Sequence, residues 1–199
     1  MKSYVLLVWN FLDPIYYKFT RLTYIHNEIH KENILRVRLT RYKGKHVTLS
    51  DGTQINKNDI LVKIHLHNVR LINEMKSVKN DITKGRFIYQ YVKKSLPSLG
   101  SYIQNHSKAD EIKGIIGISM LNRGADRLGF EFVAISNPFY KWFKWLAFLP
   151  ICLLSNNDSI FKMIKNNISA PPKYLFMSKE NLLQIYNCES RDEITKRKC

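Results

Sequence analysis

The stretch "ILVKIHLHNVRL", residues 60–71, decides the architecture of this chain. Lys63, His65 and His67 occupy every second position, with Ile60, Val62, Ile64 and Leu66 between them. A strand sends alternate side chains to opposite faces, so the three basic groups share one face and the aliphatics the other. From Asn68 onward the apolar residues fall at helical spacing, and Asn68 is placed to cap "VRLINEMK". Upstream, "ILRVRLTRY" (34–42) also alternates. Leu35, Val37 and Leu39 lie on one side, and Arg36, Arg38, Thr40 and Tyr42 on the other. "KGK" (43–45) reads as a turn, "HVTLS" (46–50) as a strand and "DGTQINKND" (51–59) as a connection rich in turn residues. Together these predict an antiparallel meander over 34–67 with Val37, Leu39, Val62, Ile64 and Leu66 buried.

Further along, a second helical stretch is expected from about 87 to 106, broken near Pro97. "IKGIIGISML" (112–121) is a nearly all-apolar run, the signature of a central strand buried on both faces. "NRGADRLG" (122–129) reads as a helical turn stopped by Gly129, "FEFVAI" (130–135) as a strand and "PPKYLFMS" (171–178) as the last strand. Ser178 then caps "KENLLQIY". At the start, Val5, Trp9, Leu12, Tyr16 and Phe19 recur at helical spacing. The sum is an α+β protein: a single domain with a mixed, mainly antiparallel sheet and helices packed mostly on one side. Residues 1–33 read as an amphipathic helix and connector, 34–190 as the α+β domain and 191–199 as a charged tail.

Charge is the unusual property of the composition. Thirty-two Lys and Arg against sixteen Asp and Glu leave +16 on 199 residues. Such a field favours polyanions: anionic headgroups, acidic glycans or nucleic acid. Lys, Asn and Ile are all abundant, so part of the excess is also consistent with A+T-rich codon usage. Cys152, Cys188 and Cys199 are scattered and form no C-x-x-C, which argues against a disulfide framework or zinc site. The N-terminal segment meets Asp13-Pro14 without a small-residue cleavage site, so no signal peptide is expected. "WLAFLPICLL" (145–154) is about half the roughly 18 apolar residues a membrane span requires.

Four clusters carry candidate chemistry. His65 and His67 are candidates for metal binding, for catalysis or for a plain solvated face; a third metal ligand is missing and Lys63 is a repelling neighbour. With Arg36 and Arg38 on the same face, and Asn68 beside it, the alternative is an anion-binding surface. "RGADR" offers Arg123, Asp126 and Arg127 after a buried strand, where open sheets gather ligand groups, with a turn-positioning ion pair as the plainer reading. "HNEIH" (26–30) has metal-ligand spacing but sits in a polar connector. Trp142, Phe143, Lys144 and Trp145, within "FYKWFKWLAFL", suit a membrane interface as well as a core helix with snorkelling lysines. No metal and no cofactor is expected: there is no P-loop, no H-E-x-x-H, no G-x-S-x-G and no dinucleotide fingerprint.

Three blocks in order, "LRVRLTRYKGKHVTLSDGTQINKNDILVKIHLHNVRL", "IKGIIGISMLNRGADRLGFEFV" and "YLFMSKENLLQIY", resemble the YkoP-like family of Bacillus and its relatives. The resemblance spans Leu35 to Tyr186, and "DGT…HLHN" and "GADRLGF" are its specific elements. It implies an essentially uncharacterised family. Related domains also occur fused behind polysaccharide deacetylase domains, which implies a cell-envelope or spore glycan setting. The deacetylase chemistry does not follow, because the "TFDDG" block is missing. Family members often carry an acidic residue where this chain has Lys63. "GADRLGFEFV" also faintly resembles the last helix and strand of GNAT-type acetyltransferases, without their Gly-rich pyrophosphate turn.

Three functional readings follow. The first is an accessory or binding protein at the inner face of the membrane, cytoplasmic, with anionic membrane surface or envelope glycan precursors as partners. The second is an enzyme on an acyl or glycan substrate, using His65 or His67 as general base. The third is nucleic-acid binding, which the charge suits although no recognition motif accompanies it.

Overall fold

The computed structural model describes residues 22–25, 33–75, 78, 80–119, 124–142, 144 and 172–186. Strand β5 (Ile60–Leu66) is the stretch that the alternation marks, and it sits third in a six-stranded sheet of order β1-β2-β5-β6-β8-β7. Its partners are β2 (Leu35–Arg41), antiparallel, and β6 (Ile112–Ser119), parallel. Strand β1 (Thr23–Tyr24) closes one edge; β8 (Lys173–Ser178) and β7 (Glu131–Ala134) complete the other, all antiparallel. The result is an α+β protein with a mixed, mostly antiparallel sheet. A parallel β5/β6 pair needs a long crossover, and helices α1 (Asn68–Glu74) and α2 (Asp81–Gln104) fill it.

One sheet face builds the main core. Val37 and Val62 are fully buried there with Leu35, Ile115 and Met177, against Leu71 of α1, Val92, Leu96, Leu99 and Ile103 of α2, and Leu182 and Tyr186 of α3 (179–186). Leu39, Ile64 and Leu66 pack against this core partly buried. The expected break in α2 does not occur: Pro97 lies inside the helix. A mid-helix proline costs about 3 kcal/mol, but Leu96, Leu99 and Ile103, all at 0% exposure, lock the turns on either side of it to the sheet. Asn80 supplies the true start, its side chain accepting the Ile82 N–H at 2.9 Å.

The expected three-strand meander is also corrected. Strand β2 pairs directly with β5, and the intervening strands β3 (Val47–Thr48) and β4 (Gln54–Ile55) form a separate two-stranded sheet. The segment 43–59 carries its own apolar side chains, Val47, Leu49 and Ile55. It folds over the second sheet face, burying them against Leu61, Ile116 and Phe176 with Tyr42. Gly52, at φ 85°, makes the left-handed turn of "DGT". The tip is fastened twice. The Ser50 N–H donates to both Glu131 carboxylate oxygens at 2.9 and 3.1 Å, and the Ser178 hydroxyl donates to Asp51. Ser178 Oγ also accepts the Asn181 N–H at 2.9 Å and so caps α3.

The "GADRLG" turn ends at Gly129 in the left-handed region, φ 86°, after a 3-10 turn over Asp126–Leu128. Asn181 Nδ2 donates to the Gly129 carbonyl at 3.2 Å and Tyr186 Oη to that of Leu128 at 3.0 Å. The three blocks that carry the family resemblance therefore meet around α3. The predicted N-terminal helix, "HNEIH", Arg123, Phe143, Trp145 and the three cysteines lie outside the described residues.

Candidate functional site

The hairpin covers only part of the second sheet face. Toward β1 the same face carries Arg36, Arg38, Lys63 and His65, and the register sets them as two facing pairs: Arg36 opposite His65 and Arg38 opposite Lys63. Like charges directly opposite across a strand pair are unfavourable. The Arg38–Lys63 pair is therefore a cost to the fold.

Arg36 is 3% exposed. It donates to Tyr24 Oη at 2.5 Å, and its guanidinium carbon lies 4.9 Å from the centre of the same ring. Tyr24 is its register partner on β1, so one row runs Tyr24, Arg36, His65 across three strands. His67 departs from the alternation. β5 ends at Leu66, and His67 adopts φ −76°, ψ 79° as the residue before α1. It takes the cap position expected of Asn68, which is instead the first helical residue; no side chain makes a capping bond there. The His67 ring meets Tyr24 edge-on at 5.8 Å, so Tyr24 touches both Arg36 and His67.

The second arm comes from the aromatic segment. A helical turn at 138–142 begins at Asn137, whose side chain accepts the Tyr140 N–H at 3.0 Å. Tyr140 stacks on Tyr174 of β8 at 6.4 Å, and Lys144, one turn later, holds its ammonium 5.3 Å from the Tyr140 ring. This places Lys144 at the cationic face. Tyr174 in turn meets Tyr42 and Phe176, so the ring stack joins the hairpin core to the charged patch.

The electrostatics follow from burial among like charges. Burial pushes the Lys63 amine down to about 8, helped by Lys144 and Arg38. Burial, then Lys63, Arg38, Lys144 and Arg36, hold His65 at about 3. Lys144 is lowered by burial and Arg38. His65 is thus a neutral imidazole throughout the physiological range, and its buried Nε2 has no hydrogen-bond partner among the described residues. A group of such low proton affinity is a weak proton acceptor. Its chemistry here is directional hydrogen bonding. Beyond the patch, Glu74 accepts from Arg70 at 2.7 Å; burial raises its carboxyl, but bonds from Arg70 and Tyr91 and the charges of Arg70 and His67 outweigh this and lower it.

The structure gathers Arg36, Arg38, Lys63, His65 and Lys144. It does not bring the "RGADR" turn to them: Asp126 and Arg127 are exposed, and Leu128 and Phe130 anchor that turn in the helix-side core. Asp126 Oδ1 accepts the Gly124 N–H at 3.1 Å, a local bond of the turn. Sequence reasoning places Lys144 on a membrane surface or on a core helix as a snorkelling lysine; the Tyr140–Lys144 spacing of one helical turn is the available signal for its second role. Tyr24 gives no signal, because β1 is two residues long. Among the described residues no group of three His, Cys, Asp or Glu is arranged to hold a metal, and no helix is long and apolar enough to cross a membrane.

The chain is an α+β protein whose mixed sheet carries the main apolar core on one face and, on the other, an apolar hairpin beside a cationic patch. The YkoP domain family model matches residues 2–186, and the chain belongs to this family. It is 48% identical over 186 residues to "Uncharacterized protein YkoP" of Bacillus subtilis (strain 168), covering 94% of this chain and 98% of that protein. No solved structure matches.

Proposed function

We propose that this protein is an accessory binding protein that holds an anionic ligand on the Arg36, Arg38, Lys63, His65 and Lys144 face while associated peripherally with the membrane. One observation carries the reading: a neutral histidine is set among four cations on the floor of one sheet face. Cations held together at a cost to the fold are explained by a ligand that neutralises them. The membrane part rests on the same segment that delivers Lys144. Phe139 and Trp142 are 84% and 63% exposed on the turn at 138–142, next to Lys141 and Lys144. Exposed aromatic rings beside lysines suit the headgroup layer of an anionic bilayer. The envelope or spore glycan setting is the context that the family resemblance implies.

The test is sedimentation with vesicles. Binding to vesicles containing phosphatidylglycerol is expected, weakening between 50 and 500 mM salt, roughly the range over which the Debye length shrinks severalfold. Phe139→Ala with Trp142→Ala should lower the bound fraction at least fivefold. Equal binding to neutral vesicles, or none to anionic ones, defeats the membrane reading. Comparable salt-sensitive binding to DNA would show the charge to be unselective.

A further inference from the structure

We infer that the cationic face is built for a terminal phosphate, a phosphate monoester with three free oxygens, rather than for a phosphodiester or a carboxylate. This rests on the anion-binding reading above and names the ligand class for the same residues.

Strand register sets the geometry. Arg36 and Arg38 stand two residues apart on one strand, and His65 and Lys63 stand directly opposite them on the next. Residues two apart on a strand are separated by about 7 Å, and facing residues by about 5 Å. Four side chains therefore rise from the corners of one small rectangle, and Lys144 reaches the same place on the turn stacked against Tyr174. Lys63, Arg38, Lys144 and Arg36 all act on the one His65 ring, so the cations cluster about a single residue, which suits a compact ligand head over an extended polyanion. Arg36 is held by Tyr24 and contributes charge from below, while the guanidinium fork of Arg38 is of the kind that engages two oxygens of one group at once. The ammoniums of Lys63 and Lys144 add point charges from other directions. A carboxylate presents two oxygens in a plane. A phosphodiester presents two free oxygens, with ester groups blocking the other directions. A terminal phosphate presents three oxygens around an axis, open to donors from several sides, and carries close to two negative charges at neutrality.

His65 supplies a discriminating element. A buried ring nitrogen with no hydrogen-bond partner among the described residues, on a floor of cations, calls for an explanation. A neutral imidazole can donate one hydrogen bond through an N–H and accept one at the other nitrogen. It therefore reads a phosphate oxygen, protonated or not, without adding a further charge. Among the described residues, the charges that act on Lys63 and His65 are positive: Lys144 and Arg38 on the former, and Lys63, Arg38, Lys144 and Arg36 on the latter. Nothing in that set would repel a dianion. The chemistry is shared by two sources: the headgroup of a phosphatidic-acid-type lipid, and a soluble phosphomonoester such as a sugar phosphate.

Calorimetric titration of the full chain tests this with methyl phosphate, dimethyl phosphate and acetate at matched low ionic strength. Methyl phosphate is expected to bind at least tenfold more tightly than the other two. Lys63→Gln and Arg38→Gln should each weaken it at least tenfold while thermal unfolding remains cooperative. Because Arg38→Gln could disturb β2, Lys63→Gln alone decides whether this face is the site. Equal affinity for methyl and dimethyl phosphate overturns the ligand class and leaves anion binding standing, whereas undiminished binding in Lys63→Gln overturns the assignment of the site to this face. No binding of any of the three overturns the anion-binding reading with it. Vesicles containing phosphatidic acid or phosphatidylglycerol, matched in surface charge, separate the sources. Preferential retention by phosphatidic acid, lost in Lys63→Gln, assigns the lipid headgroup; methyl phosphate binding without that preference assigns a soluble phosphomonoester.

Discussion

Replacing Lys63 by methionine should make the protein more stable. The side chain is largely buried on β5 opposite Arg38, and burial with Lys144 and Arg38 brings its amine from an ordinary 10.5 to about 8. Below pH 8 the amine is protonated folded and unfolded alike, so the fold bears the full cost of a charge it disfavours. At about 1.4 kcal/mol per pH unit, that gap amounts to about 3 kcal/mol. Methionine keeps the unbranched stem and removes the charge. For a chain of this length each kcal/mol moves Tm by about 2–4 °C, so a rise of about 6–12 °C is expected at pH 7 in phosphate-free, low-salt buffer. The pH dependence carries its own signature. Between about 8 and 10.5 the folded amine has lost its proton while the unfolded one keeps it, so the wild type gains stability as pH rises. The advantage of Lys63→Met is therefore full below pH 8 and vanishes by about 10.5. Calorimetric or fluorescence melts of both proteins across pH 7–10.5 measure it. A variant no more stable than wild type at pH 7, or an advantage that does not shrink across that window, would refute the reasoning.

Three further outcomes are expected. The His65 imidazole takes a proton near 6.5 unfolded but only near 3 folded, so stability should fall as pH drops below 6.5; between 6.5 and 5, above the carboxylate range, urea unfolding should show a slope approaching about 1.4 kcal/mol per pH unit that His65→Gln removes. An unchanged slope in that variant would place the acid sensitivity elsewhere. Gly114→Ala should cost more than about 2 kcal/mol or abolish soluble expression, because a Cβ there collides with the Met177 carbonyl of the adjacent strand, and a variant melting like wild type would contradict the close β6–β8 approach. Ser178→Ala removes both the α3 cap and the Asp51 bond and should cost about 2 kcal/mol, with Asp51→Ala adding less than its separate effect; strict additivity would mean the two groups do not interact.

Much of the fold is legible because its strands obey a period of two. β2 alternates from Leu35 to Thr40 and β5 from Val62 to Leu66, and the apolar residues of those runs point to one core, so the positions of Arg36, Arg38, Lys63 and His65 on a common face follow from spacing alone. Pairing does not follow. "HVTLS" has strand character, and nothing in its sequence says that it pairs with Gln54–Ile55 in a second layer instead of joining the main sheet. What decides it is tertiary: Leu61, Ile116 and Phe176 form an apolar surface on the far face that needs covering. The proline in α2 misleads for the same reason, since its cost is local and the burial that offsets it is not. His67 escapes the pattern because the alternation continues in sequence one residue beyond the strand. The arrival of Lys144 is not readable from sequence, because its position depends on Tyr140 stacking across on β8.

The register that brings these cations together is set by apolar residues on the opposite face of the same strands. Slipping β5 by one residue against β2 would turn Lys63 and His65 into the core built by Val37, Val62, Ile115, Leu96 and Leu99, and would bring Val62 and Ile64 out onto the other face. The apolar halves of the two strands thus force Arg38 against Lys63 and Arg36 against His65, and the hairpin, fastened through Ser50 and Asp51 to Glu131 and Ser178, settles over the apolar part of the face. The backbone under the patch is held by residues that are not part of the patch. Charges can therefore be removed from it one at a time without moving the others, and a loss of ligand binding accompanied by a gain in stability would separate what these residues do for the ligand from what they cost the fold.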